Sequence, residues 1–165
     1  PEIGDALALG STAIGQGRLL ATTAQMGSVA ATIATGGRRA TPVLLRDRRE
    51  RPRRVLEPRV ARLVGDYMTE VVRSGTGTAA ALPGVQVAGK TGTAELRRST
   101  GDPAVEGEAV VDDPTDTDAW FAAFAPHRRP RVAVAVLLVG GGTGGATAAP
   151  AARIVLQAGL QPARR

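Results

Sequence analysis

The stretch Gly84–Glu95 reads GVQVAGKTGTAE, and its conformation decides what kind of domain the chain builds. Gly84, Gly89, Lys90 and Thr91 satisfy the phosphate-cradling pattern G-x-x-x-x-G-K-[ST]. A phosphate loop, however, needs an irregular segment that turns successive N–H groups inward, after a buried strand and before a helix. Between the two glycines stand Val85, Gln86, Val87 and Ala88, alternating and partly β-branched, which favour extension. The preceding TAAALP (Thr78–Pro83) is not strand-like, and Gly92 directly after Thr91 is a poor way to begin a helix. The apolar run Val132–Val139 ends in glycines rather than in a magnesium-holding Asp. A phosphate-loop nucleotidase is therefore disfavoured. An extended strand suits the residues better: Lys90 and Gly92 share one parity along it, Thr91 and Thr93 the other. The Lys90 ammonium offers a point charge for a carboxylate, and the threonine hydroxyls add hydrogen bonds to it. Gly92 lets a ligand or a neighbouring element approach the backbone.

Outward from this strand, the pattern alternates helix and strand signals. Thr22 with Gln25 three positions on forms a capping box, and Met26, Val29, Ala30, Ile33 and Ala34 follow at helical spacing until Gly36-Gly37. Pro42–Leu45 (PVLL) reads as a short strand. Pro58 suits the first turn of a second helix, whose apolar stripe is Val60, Leu63, Val64, Tyr67, Met68, Val71 and Val72, ended by Gly75. Gly75, Gly77 and Ala80 nominally match G-x-G-x-x-A, but a helix rather than a strand feeds that turn, so it is a helix end. Val85–Ala88 alternates like a strand, and residues 97–117 read as a long polar surface loop. WFAAFAP (Trp120–Pro126) and Val132–Val139 look like two strands of a hairpin joined by PHRRP. GGGTGG (Gly140–Gly145) reads as a flexible connector, and Pro150 opens a closing helix. Three late strands joined by a loop and a tight turn favour an α+β fold, an antiparallel sheet backed by helices.

Composition narrows the chemistry. The chain has 165 residues, one domain or a piece of one, and no Cys, which excludes thiolate catalysis and a disulfide framework. Its net charge is +6, and Lys90 is the only lysine among 21 basic residues. The densest basic stretch, Arg46–Arg54 (RDRRERPRR), has no aromatic to stack a base and contains Asp47 and Glu50; it reads as a solvated linker, and no nucleic-acid partner is expected. The longest apolar run falls far short of the roughly 20 residues that a membrane helix needs. His127 reads as an exposed turn residue. Asp112, Asp113, Asp116 and Asp118 lack the calcium-loop spacing, so no metal and no cofactor are expected.

AGKTGTAE (Ala88–Glu95) resembles the third motif of class B penicillin-binding proteins, the peptidoglycan D,D-transpeptidases. The neighbouring segments resemble that family in the same order. IGQG (Ile14–Gly17), ATTAQM (Ala21–Met26) and ATGG (ending at Gly37) are similar to its IGQG, TPLQM and ANGG series. MTEVVRSGTGTAA (Met68–Ala80), DAWFAAFAP (Asp118–Pro126) and AAPAAR (Ala148–Arg153) resemble the segment before the motif, the strand after it and the start of the terminal helix. Three departures, TTAQM for TPLQM, DAWF for HAWF and ATGG for ANGG, mark a divergent branch.

The resemblance implies a partial penicillin-binding transpeptidase fold and an enzyme whose serine attacks the D-Ala-D-Ala stem peptide and is acylated by β-lactams. It implies that Lys90, Thr91, Gly92 and Thr93 bind the substrate carboxylate, and that the Thr93 backbone N–H is an oxyanion donor. It also implies residence at the extracytoplasmic face of a bacterial membrane through an N-terminal anchor, with peptidoglycan stem peptides, β-lactams and other cell-wall synthesis proteins as partners. The family's S-x-x-K nucleophile motif is missing here, because Val87 stands three residues before the only lysine. S-x-N is missing too, because the chain has no Asn. A serine without its activating base is not a nucleophile, so the chain alone is expected to be inactive. With Pro1 in place of an initiator Met, residues 1–165 are expected to be the C-terminal portion of one transpeptidase domain, the N-terminal part being its missing partner. A non-catalytic scaffold module in cell-wall assembly, or one subunit of a split enzyme, are the alternatives.

Overall fold

The computed structural model describes residues 6–13, 15, 19–39, 41–43, 51–95 and 117–162. Most of IGQG, residues 44–50 and nearly all of the expected surface loop at 97–117 lie outside these residues.

The first helix, α1 (Ala6–Ala13), is small and apolar almost throughout, so no amphipathic stripe announces it in the sequence. Helix α2 (Thr23–Ala34) begins at the expected capping box: Gln25 N–H donates to Thr22 Oγ1 at 3.2 Å and Thr22 N–H to Gln25 Oε1 at 2.7 Å. Such a cap contributes about 1 kcal/mol. Past Gly37, β1 (Arg38–Arg39) pairs antiparallel with β2 (Arg53–Arg54), a ribbon that hydrophobic patterning does not foresee because all four residues are arginines. The Gly37 carbonyl accepts from Val55 N–H at 3.0 Å and ties the ribbon down. The strand expected at Pro42–Leu45 is corrected: Pro42 and Val43 are irregular, consistent with a proline that has no ladder donor, and Leu44 and Leu45 lie outside the described residues.

Helix α3 (Pro58–Ser74) forms as expected, and its buried face keeps Met68 and Val72 of the expected stripe but is rotated toward the small residues Ala61 and Gly65. Ala61, Gly65, Met68 and Val72 point inward, whereas Tyr67 of the expected stripe is 64% exposed and Val60 and Leu63 are about half exposed. Small residues win because the helix sits close to the sheet. A Cβ at Gly65 would stand 3.1 Å from His127 Cε1 and 3.5 Å from Phe124 Cζ.

The main sheet has the order β3-β4-β5, all antiparallel, with β3 (Ala88–Glu95), β4 (Thr117–Ala125) and β5 (Val132–Leu138). The expected strand at Val85 starts three residues later. Gly84 adopts φ +71° and Val85 N–H closes a turn onto Leu82 O (3.2 Å), while Gln86 O accepts from His127 N–H at 2.8 Å and Val87 is buried in the core. One sheet face carries Ala119, Phe121, Ala123 and Ala125 against Ala149, Ala152 and Leu156 of α4 (Ala149–Leu160). The other carries Ala88 and Phe124 against Met68 of α3 and Ile33 of α2. The fold is therefore α+β, as the pattern implied.

Two further expectations change. The glycine-rich connector is not loose: Gly144–Ala148 forms a one-turn π-helix, with Gly144 and Ala148 buried. His127 is not an exposed turn residue either. Its side chain is only 14% exposed, seated over Gly65, with Nε2 2.9 Å from Asp66 Oδ1.

Candidate functional site: a cleft along the edge strand

Among the described residues β3 pairs with β4 alone, which leaves its other edge open. There Lys90, Thr91, Gly92 and Thr93 line a cleft of about 460 Å³, with Trp120 of β4 and Met26 of α2 among its walls. The register sets Lys90 opposite Ala122 and Gly92 opposite Trp120. The small Ala122 leaves room beside the lysine, while Trp120 supplies an apolar wall. Lys90 Nζ donates to the Thr91 carbonyl at 2.8 Å and lies 3.4 Å from Thr91 Oγ1. Thr91 Oγ1 is 2.7 Å from Thr76 Oγ1, and Gly144 N–H points at Thr93 Oγ1 from 3.4 Å. A cation and two hydroxyls are thus gathered on one rigid strand beside apolar walls, where a positive charge attracts an anion more strongly than in open water.

The glycines explain how the strand is held. A Cβ at Gly92 would lie 3.0 Å from Trp120 Cβ. One at Gly144 would come within 2.3 Å of Trp120 O and 2.5 Å of Gly92 O, so the π-turn rests directly on the backbones of β3 and β4. All four residues named from the sequence, Lys90, Thr91, Gly92 and Thr93, meet at the cleft. The phosphate-loop alternative is overturned, since Lys90 and Thr91 lie in mid-strand and Gly89 is buried under Phe121. Patterning missed Thr76, Trp120 and the Gly144 turn. Thr76 is 15 residues from Thr91, and no periodicity links them.

Other chemistry-bearing groups have structural partners. Asp118 Oδ1 accepts from Gly140 N–H at 3.1 Å, and Ser74 Oγ lies 3.4 Å from Glu70 O. Among the described residues no cluster of His, Asp or Glu is arranged to hold a metal, and no helix is long and apolar enough to cross a membrane.

A Lys-Thr-Gly strand at the edge of an antiparallel sheet backed by helices is the architecture of penicillin-binding transpeptidases. The chain belongs to that family: the penicillin-binding protein transpeptidase domain model matches residues 6–157. It is 39% identical over 176 residues to the peptidoglycan D,D-transpeptidase PbpA of Mycolicibacterium smegmatis, covering 95% of this chain and 33% of that protein. The crystal structure of PBPA from Mycobacterium tuberculosis superimposes with a TM-score of 0.78 at 38% identity, covering 98% of this chain and 37% of that one. The ceftriaxone acyl-enzyme complex of the same M. tuberculosis protein gives a TM-score of 0.79 at 37% identity, over the same shares of the two chains. The chain spans about a third of the length of these relatives.

Proposed function

We propose that this chain is the C-terminal portion of a serine D,D-transpeptidase domain that cross-links peptidoglycan stem peptides, and that it contributes the carboxylate-binding strand. The observation that carries this reading is the grouping of Lys90, Thr91 and Thr93 on an edge strand beside an apolar-walled cleft. In this mechanism the terminal carboxylate of the stem peptide meets the Lys90 ammonium and the hydroxyls of Thr91 and Thr93, which orients the scissile amide along β3. The small Gly92 allows the peptide to lie against the backbone. As the carbonyl becomes tetrahedral, the Thr93 N–H stabilises the developing oxyanion, a contribution of about 3 kcal/mol per donor. The nucleophilic serine and its lysine base come from an S-x-x-K segment that this sequence does not contain. β-Lactams acylate that serine with their own carboxylate held at the same place. The substrate puts the work on the extracytoplasmic side of the membrane.

Fluorescent penicillin tests this. The 165-residue chain alone should take no covalent label. Fused to the upstream portion of the mycobacterial PbpA whose acyl-enzyme complexes are known, it should label, and Lys90→Ala in that fusion should slow labelling by about 10- to 100-fold. A folded fusion that labels equally fast with Lys90→Ala refutes the assigned role of the strand. A folded fusion that never labels supports instead a non-catalytic scaffold module.

A further inference from the structure

We propose that Thr76, outside the Lys-Thr-Gly motif, is a positioning residue for carboxylate recognition: by donating to the Thr91 hydroxyl when an anion is bound, it leaves the Thr91 proton to face that anion. This rests on the transpeptidase reading and extends it to a residue that the motif does not include.

Thr76 sits just past the end of α3, in a loop fixed from two sides. Gly75 N–H and Gly77 N–H both donate to the Val71 carbonyl, at 3.1 and 3.0 Å. From the far side the π-turn presses in, since a Cβ at Gly145 would be 2.5 Å from the Thr76 carbonyl oxygen. The Thr76 hydroxyl is thereby held 2.7 Å from Thr91 Oγ1. Thr91 Oγ1 has a second neighbour, Lys90 Nζ at 3.4 Å, which can only donate.

A hydroxyl has two lone pairs and one proton. If Thr76 donates to Thr91, then Thr76 and Lys90 occupy the acceptor side of Thr91 Oγ1, and its proton is left for a carboxylate oxygen in the cleft. In the opposite polarity Thr91 uses its proton on Thr76 and offers the anion nothing. A bound carboxylate selects the first arrangement, in which each hydrogen bond polarises the next. Both threonines lie at the surface end of this contact, where water could replace the bond at little cost to folding. The contact therefore bears on binding more than on stability.

The test is a titration of the full 165-residue chain with N-acetyl-D-Ala-D-Ala and with its C-terminal amide, followed through the amide resonances of Thr91 and Thr93. The acid should shift both resonances and the amide should not. Thr76→Val should weaken binding of the acid by about two- to tenfold, the usual range for one lost hydrogen bond. Thr76→Ser, which keeps the hydroxyl, should restore it. Parent-like affinity in Thr76→Val, while Lys90→Ala abolishes binding, overturns the proposal but leaves the transpeptidase reading intact. If Lys90→Ala changes nothing either, that reading itself has failed. Should the valine variant lose its dispersed spectrum, Thr76→Ala against Thr76→Ser decides in the same way, and equal binding by these two also overturns the proposal.

Discussion

Truncating Phe121 to alanine should lower stability by about 3–5 kcal/mol, the usual cost of removing a fully buried aromatic side chain. Phe121 is 0% exposed and stands at the centre of the face that β4 turns toward α4. With only two Phe, one Tyr and one Trp in the sequence, no other large ring is at hand to refill the space. The ring also covers the motif strand, because a Cβ at Gly89 would fall 2.5 Å from Phe121 Cζ. Gly89→Ala alone should therefore overpack the site, at about 1–3 kcal/mol. The double variant Gly89→Ala/Phe121→Ala should be less destabilised than the sum of the two single changes, because removing the ring relieves the clash. Urea unfolding measures all three. A loss below about 1 kcal/mol for Phe121→Ala would show that this residue does not anchor the core.

The second large effect should come from Gly144→Ala. The added Cβ meets Trp120 O at 2.3 Å and Gly92 O at 2.5 Å, backbone atoms of two hydrogen-bonded strands rather than yielding side-chain tips. Either the π-turn lifts off the sheet or β3 and β4 shift, and both outcomes displace Gly92 and its neighbours. We expect a stability loss at or above the usual overpacking range of about 1–3 kcal/mol, faster hydrogen exchange along Ala88–Glu95, and at least about tenfold weaker binding of N-acetyl-D-Ala-D-Ala. Gly10→Ala is the control, since nothing lies within 4 Å of its Cβ and alanine favours the helix. Unchanged exchange in β3 with Gly144→Ala would disprove the bracing role of the turn.

Much of the sheet was legible because alternation and chain order suffice for an antiparallel hairpin: WFAAFAP and Val132–Val139 pair as their patterns imply. That Lys90, Thr91, Gly92 and Thr93 share one cleft was legible for a different reason, in that charge, hydroxyls and glycine alternate within a few residues of one strand. What stayed hidden depends on close approach in three dimensions. Hydrophobicity along α3 favours a stripe containing Tyr67, yet the helix docks through Ala61 and Gly65 because His127 and Phe124 stand so near. The run GGGTGG looks like slack in the chain, and only the strand backbones beside Gly144 show that this position has no room for a side chain. The Arg38–Arg39 and Arg53–Arg54 ribbon has no apolar signal and is anchored through the Gly37 carbonyl. Thr76 and Thr91 meet through the path of the intervening turn, which no local rule encodes.

The Lys90 ammonium, exposed and folded back onto its own strand's carbonyl, is also the sole ε-amine of the 165 residues. Covalent amine chemistry on this chain is therefore site-directed without any engineering. Apart from the chain terminus, a mild acylating or reductive-methylation reagent has one target, and its rate of attack reads cleft occupancy directly. A carboxylate ligand that engages the ammonium shields it from the reagent, and a neutral analogue leaves it reactive. The same feature makes the protein vulnerable: one adventitious carbamylation or acetylation cancels the one lysine charge that these 165 residues bring to the cleft, while every arginine of the basic surface stays as it was.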